Sequence, residues 1–401
     1  MTNNNNKYSP ELRFPEFQDK GEWNVIELGQ FARIVMGQSP SSKNYNSDRK
    51  GIPLLQGNAD IKDRKQKLRI YTTEVIKTCD ANDIIMTVRA PVGTISRALF
   101  FSCIGRGVCA IKTDSDYLYH YLVSIEQEWE KYASGSTFSS IILDQVYHKK
   151  IIIPQGTLEQ KKIADCLSSL DIYLDTTKHK LELLKEYKKG LMQQLFPRNG
   201  KNVPELRFPE FTGEWAEKRL GDSFKERKEK NRNDLPLLSL GEKGLLYQSD
   251  TNRKDNSNTD KSKYLRIALG DIAYNTMRMW QGRCVFVDKE GIVSPAYTVC
   301  QPKEGIDSMF HYYLFKTHKM IEKFHRNSQG LVSDTLNLKF ETFSKIKYFL
   351  PPSLTEQKKI ADFLSKLDEL IISESQQLEA LNAHKNGLMQ RLFPKISTQD
   401  L

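Results

Sequence analysis

Two stretches of this 401-residue chain repeat apolar residues at alternating steps of four and three. The first runs through Ile163, Leu167, Leu170, Leu174, Thr177, Leu181, Leu184, Lys188, Leu191 and Leu195. The second runs through Ile360, Leu364, Leu367, Ile371, Glu374, Leu378, Leu381, Lys385, Leu388 and Leu392, with identical spacing. A sustained heptad pattern predicts a long helix with one apolar seam, as in a coiled coil. Pro154 and Pro197 bracket the first helix, Pro352 and Pro394 the second. At 1.5 Å per residue, a helix of about 40 residues spans roughly 60 Å. One seam on each helix invites pairing with the other. The polar seam positions are Thr177, Lys188, Glu374 and Lys385. In an antiparallel pair Lys188 falls towards the Glu374 end of its partner and helps fix the register. The competing reading is that these positions lie exposed where the seam loosens.

The segments before each helix read differently. In the first, DIIMTVR, GTISRALF and GVCAIK predict short strands between Pro and Gly signals. A helix is expected from about Tyr117 to Tyr132, then a Gly-Ser loop over Ser134 to Ser140 and a strand at IIIP. In the second, DIAYNTMR, GRCVFV and AYTVC predict strands. A helix from about Met309 to Phe324, a loop through Gly330 and a strand at IKYFL follow. The expected class is α+β.

The likeness of the two halves is an internal repeat. ELRFPEF occupies Glu11 to Phe17 and recurs unchanged from Glu205 to Phe211. EQKKIAD recurs from Glu159 at Glu356, and GLMQQLFP from Gly190 is matched by GLMQRLFP from Gly387. Between these strings only a skeleton persists: Asp83-Ile84 leads to Arg89 and Gly93, and Asp271-Ile272 leads to Arg278 and Gly282. A duplicated frame with divergent inserts suits a molecule that reads two different things with one geometry. Plain duplication followed by drift is the simpler history.

Composition bounds the class. Hydrophobic residues make up 39% and charged residues 27%, which supports real cores and argues against global disorder. The length allows two to four domains. A formal charge of +10 favours a polyanionic partner such as nucleic acid or an acidic membrane surface, and a merely basic soluble protein is the plainer reading. MTNNNNKYSP has no apolar signal region, and no stretch approaches a membrane span of about 18 apolar residues. Cys79, Cys103, Cys109, Cys166, Cys284 and Cys300 form no C-x-x-C pair, so reduced thiols in a cytoplasmic protein are expected.

Catalytic signatures are missing from the sequence. There is no P-loop, no G-x-G-x-x-G after a strand, no N/D-P-P-Y/F string and no convincing nuclease arrangement. His311 and His318 lie seven apart in an expected helix, a spacing that more often packs than binds metal, and no metal site is expected. Basic and polar residues instead crowd the expected loops. Lys43, Arg49, Gln56, Asn58, Lys62 and Arg64 stand in the first insert, and Arg227, Lys228 and Arg253 in the second. Lys and Arg contact phosphates, while Arg, Asn and Gln also reach base edges. Arg89 and Arg278 are the sharpest candidates, because both follow a strand and precede Gly by four residues. A structural ion pair competes at each.

The chain resembles the specificity subunit of a type I restriction-modification system over nearly its whole length. The resemblance rests on the duplicated ELRFPEF, on Gly37-Gln38-Ser39-Pro40, and on IPLLQGNADIK from Ile52 to Lys62. It rests further on the D-I…R-x-x-x-G skeleton and the paired P…EQKKIA…LD…GLMQ-x-LFP helices. It implies two target recognition domains, at 1–156 and 198–352 (the latter with a linker). Two conserved antiparallel spacer helices, at 157–197 and 353–401 with the tail, would separate them around a pseudo-twofold. Each domain would read one half of an asymmetric, bipartite site on double-stranded DNA, the helices fixing the gap. Two adenine methyltransferase (modification) subunits and two restriction subunits would bind; S-adenosylmethionine, ATP and Mg would belong to them, with no cofactor and no catalysis on this chain. The second insert has LPLLSLGEKG, from Leu235, without an upstream Gly-Gln-Ser-Pro, so its contacts differ. Domains docked on one duplex face would stand about one turn, roughly 34 Å, apart. Two other readings stay open: an enzyme with divergent motifs, and a protein scaffold that binds no DNA.

Overall fold

In the first half of the chain, the strand Ile84–Thr87 is buried at every position, which suits its unbroken apolar run. The computed structural model describes residues 8–132, 140–198, 200–241, 244–250, 259–332 and 335–394. It divides into two compact units, Met1–Lys178 with Gln377–Leu401, and His179–Gln376. The boundaries between the units fall inside the two long helices, Thr157–Gln194 and Leu354–Leu392.

In the first unit, Ile84–Thr87 lies between Val108–Lys112 and Ile95–Arg97, and Arg33–Met36 flanks Val108–Lys112; all these pairings are antiparallel. Short strands Lys65–Gln66 and Ile61–Lys62 extend the sheet. A five-stranded sheet built on Ile52–Leu55 and Ser102–Ile104 accompanies it. A separate ladder joins Asn24–Glu27 to Lys150–Ile153. The core takes Trp23, Ile84, Met86, Tyr117, Tyr121 and Trp129 from this region. It also takes Ile163 and Leu167 from the start of one long helix, and Met389, Leu392 and Phe393 from the end of the other.

The second unit repeats the plan. Phe224–Glu226, Tyr297–Pro302, Ile272–Asn275 and Cys284–Phe286 stand in the same order, and Ala216–Arg219 pairs with Lys347–Leu350. Its core joins Trp215, Phe310, Phe315 and Tyr348 to Leu191, Leu195 and Phe196, and to Ile360 and Leu364. The LFP strings are therefore core-filling plugs. The Asp of each D-I pair closes the turn before the central strand: Asp83 accepts from the Asp80 N–H at 2.7 Å, and Asp271 from the Ala268 N–H at 2.9 Å.

Within each unit the two helix halves run antiparallel. In the first, Ile163 and Leu167 share a core with Met389 and Leu392, and Asp171 pairs with Lys385. In the second, Leu191 shares a core with Ile360 and Leu364, Lys188 pairs with Asp368 at 2.5 Å, and Lys180 pairs with Glu374. Every predicted seam position is buried or half-buried. Lys188 thus meets Asp368, and Glu374 itself meets Lys180.

Neither predicted domain helix is one continuous α-helix. The first is Asp116–Ser124 followed by a 3-10 turn Glu126–Tyr132. The second splits into Ser308–Phe315 and His318–Asn327, because the Thr317 side chain accepts from the Met320 N–H and starts a new helix. Among the described residues no helix is long and apolar enough to cross a membrane.

Candidate nucleic-acid interface

Four loops meet at one end of the first unit's main sheet, and glycine lets them approach. A Cβ on Gly37 would lie 2.1 Å from the Gly105 carbonyl oxygen, and one on Gly107 would lie 2.0 Å from that of Gln56. Backbone bonds tie the loops: Gly37 N–H to Val108 O at 3.0 Å, Gln38 N–H to Ile104 O at 2.9 Å, and Gly105 N–H to Leu55 O at 2.7 Å. Val88 N–H donates to Gly107 O at 2.9 Å, and Arg106 N–H donates to the Ser39 hydroxyl at 3.1 Å. The side chains of Gln38, Asn58, Arg89 and Arg106 are exposed around this cluster, and Gln56 is half-buried. Such a ring of guanidinium and amide groups has the donors and acceptors that base edges and phosphates require.

The predicted residues Gln56, Asn58 and Arg89 therefore belong together. Lys43 and Arg49 are exposed in the segment after Gly37–Pro40, with Arg49 at φ 62°. Glu74, held by the Ser41 N–H and the Asn44 amide, fixes that segment, and those hydrogen bonds keep its carboxyl below the usual range. Lys62 is exposed on the Ile61–Gln66 hairpin, but Arg64 beside it is committed elsewhere. Its guanidinium holds Glu126 at 2.5 Å and the Ile95 carbonyl at 3.0 Å.

In the second unit Arg227 is likewise structural. It forks onto Asp271, which is 1% exposed, at 2.7 and 3.1 Å. Lys228 is exposed beside Glu226 at 3.0 Å. Arg253 lies outside the described residues.

The matched pair Arg89 and Arg278 needs correction. Ile84 pairs with Ile111 and Ile272 with Cys300; beyond the strands, Val88 N–H bonds Gly107 O as Thr276 N–H bonds Ala296 O. Val88 thus corresponds to Thr276, and Arg89 to Met277. Arg278 stands one residue further on, where the second copy has an extra residue before its short 3-10 turn Met279–Gln281. Equal Arg-to-Gly spacing hid the slip. Sequence reasoning also passed over Gln38 and Arg106, which the structure exposes at this cluster; their signal was the glycines of G-Q-S-P and G-R-G.

Burial pushes the Cys79 and Cys109 thiols up to about 12 and that of Cys284 to about 11, so they are protonated at neutral pH. Among the described residues no His, Cys, Asp and Glu cluster could hold a metal ion.

Residues 20–186 and 212–383 match the family model described as type I restriction modification DNA specificity domain. The chain belongs to this family. The two matched stretches are the two copies of the frame, so the specificity domain occurs twice. The chain is 35% identical over 181 residues to the putative type I restriction enzyme MjaX specificity subunit of Methanocaldococcus jannaschii, covering 43% of this chain and 42% of that protein. It is 32% identical over 211 residues to the type I restriction enzyme MjaVIII specificity subunit of the same organism, covering 51% and 47%. The chain spans about half the length of these curated relatives. Its fold is similar to that of the type I restriction-modification S subunit from M. genitalium: TM-score 0.66 and 16% identity, covering 97% of this chain and 100% of that one.

Proposed function

We propose that this chain is the DNA-specificity subunit of a type I restriction-modification complex and carries no catalysis of its own. Each unit reads one half of an asymmetric, bipartite site. The two long helices set the gap and recruit adenine methyltransferase and restriction subunits. S-adenosylmethionine, ATP and Mg belong to those partners.

One observation carries the reading most: a single strand order occurs twice, and the loops it presents differ at corresponding positions, Arg89 against Met277. A shared frame gives both units the same way of meeting a duplex, and unlike loops give them unlike targets. The formal charge of +10 suits a polyanion. Apolar side chains exposed on the helices, Leu158 and Ile172 in one unit and Leu183, Tyr187 and Ile372 in the other, suit protein partners.

The test is an exchange. Replacing residues 18–156 by the matching segment of another specificity subunit should change one half-site of the methylated motif and leave the other intact. A change in both halves, or in neither, contradicts the modular reading.

A further inference from the structure

Arg106 occupies a place that its neighbours make rigid while leaving its side chain in solvent. Gly105 and Gly107 flank it. A Cβ on Gly105 would lie 3.2 Å from Ser39 Oγ and 3.3 Å from Gln56 Cα, and one on Gly107 would lie 2.0 Å from Gln56 O. Its own N–H is bonded to Ser39 Oγ at 3.1 Å. The backbone is thus held by three neighbouring loops. The side chain is exposed and makes no ion pair among the described residues. Several other arginines of this unit are committed to carboxylates, among them Arg64 to Glu126, Arg69 to Asp60 and Arg97 to Asp116, whereas Arg49 and Arg89 are exposed as Arg106 is.

The second unit is different at the same place. Gly107 corresponds to Ala296 through their bonds from Val88 and Thr276, so Arg106 corresponds to Pro295. Proline offers no donor. The adjoining position changes with it, from Arg89 to Met277, which is 43% exposed.

Resting on the DNA-specificity reading above, we infer that Arg106 reads a guanine in the major groove of the half-site met by the first unit, and that the second unit makes no such contact at Pro295. A planar guanidinium matches the O6 and N7 acceptors of guanine with two parallel hydrogen bonds, and a rigid base for it reduces the entropy lost on contact. Lys43, Arg49 and Lys62, exposed on flanking segments, supply the sequence-independent attraction to phosphates. The two half-sites are then read by different chemistry: hydrogen bonding at one tip and apolar contact at the other.

The experiment uses the full chain assembled with its modification subunit. Competition binding is measured against duplexes carrying each single base-pair change in the recognised site, for the wild type, Arg106→Ala and Arg106→Lys. Arg106 is exposed, so unchanged melting is expected for both variants. Both should lose about 10- to 100-fold of discrimination at one G·C pair in one half-site, the size of one bidentate contact. The other half-site should keep its profile, and Arg106→Lys should keep the wild-type salt slope. Unchanged discrimination in both variants overturns the inference. So does uniform weakening in Arg106→Ala that Arg106→Lys restores, which marks a phosphate contact. In both of those cases the specificity reading survives. A wild-type complex with no base preference anywhere overturns that reading and this inference with it.

Discussion

The guanidinium of Arg13 is forked across the carboxylate of Glu159, at 2.7 and 2.8 Å, and Arg207 holds Glu356 at the same two distances. Each glutamate is nearly sealed from solvent, at 3% and 1% exposure, and each also accepts from an indole N–H, of Trp23 at 3.3 Å and Trp215 at 3.2 Å. The two clasps explain why ELRFPEF and EQKK survive together in both copies. One string supplies the fork and the other the buried carboxylate. Removing the arginine strands a buried charge, which typically costs about 3–5 kcal/mol. Arg13→Ala and Arg207→Ala are therefore expected to lower stability by that amount, each in its own unit. Chemical denaturation of the two variants checks this, and a loss below about 1 kcal/mol would show that the clasp is ornamental.

The same residues mark what a sequence discloses. The long helices were legible because heptad burial leaves a periodic trace, and Ile163 to Leu195 follow it throughout. The repeated strings were legible because an Arg–Glu–Trp clasp tolerates few substitutes. Other features depend on contacts between residues far apart in the chain. Arg227 looks like a surface cation until Asp271 is placed against it, 44 residues on. Arg64 looks like one until Glu126 is, 62 residues on. The counterpart of Arg89 was misjudged because a one-residue insertion preserves the Arg-to-Gly spacing but shifts the pairing. The LFP strings gave an end to each helix but not the core that each plugs.

The buried histidines give a pH dependence with a definite sign. Burial, helped by Lys385 and Arg97, lowers the pKa of His120 from 6.5 to about 3, and burial lowers that of His311 to about 4. Both are neutral in the folded protein and take up a proton more readily when unfolded. Unfolding then binds protons below pH 6.5, so stability falls as the pH drops from there towards 4. Each histidine contributes about 1.4 kcal/mol per pH unit in that window. Denaturation across pH 4.5–7 should show a flatter profile for His120→Gln, which can keep a hydrogen bond to Ser168, now 2.9 Å from the imidazole Nε2. A slope equal to wild type would refute the assignment.

Asp368 serves two partners, Lys188 at 2.5 Å and the Tyr313 hydroxyl at 2.7 Å. Lys188→Ala removes one partly exposed ion pair and should cost about 1 kcal/mol or less. Asp368→Ala also takes the shorter of two acceptors from the Tyr313 hydroxyl, which keeps Ser365 Oγ at 3.2 Å, and should cost more, about 1–2 kcal/mol. Lys188→Met with Asp368→Leu should recover much of that loss, because the seam accepts apolar residues. Melting curves of the three variants give the order directly.

Gly107→Ala tests the loop cluster. Its Cβ would meet the Gln56 carbonyl oxygen at 2.0 Å, so the backbone must move. The cost should be roughly 1–3 kcal/mol, and recognition of the first half-site should fail while that of the second persists. Gly190→Ala, whose Cβ would meet nothing within 4 Å, is the matched control and should leave recognition unchanged.

The most direct test of the central claim is a genome-wide map of methylated adenine in cells expressing this chain with its modification subunit, set against cells lacking this chain. The account predicts a new motif that depends on the chain, made of two different short half-sites separated by an unspecific gap. An assembled complex that leaves no new motif, or one that marks a single ungapped or palindromic sequence, would contradict it.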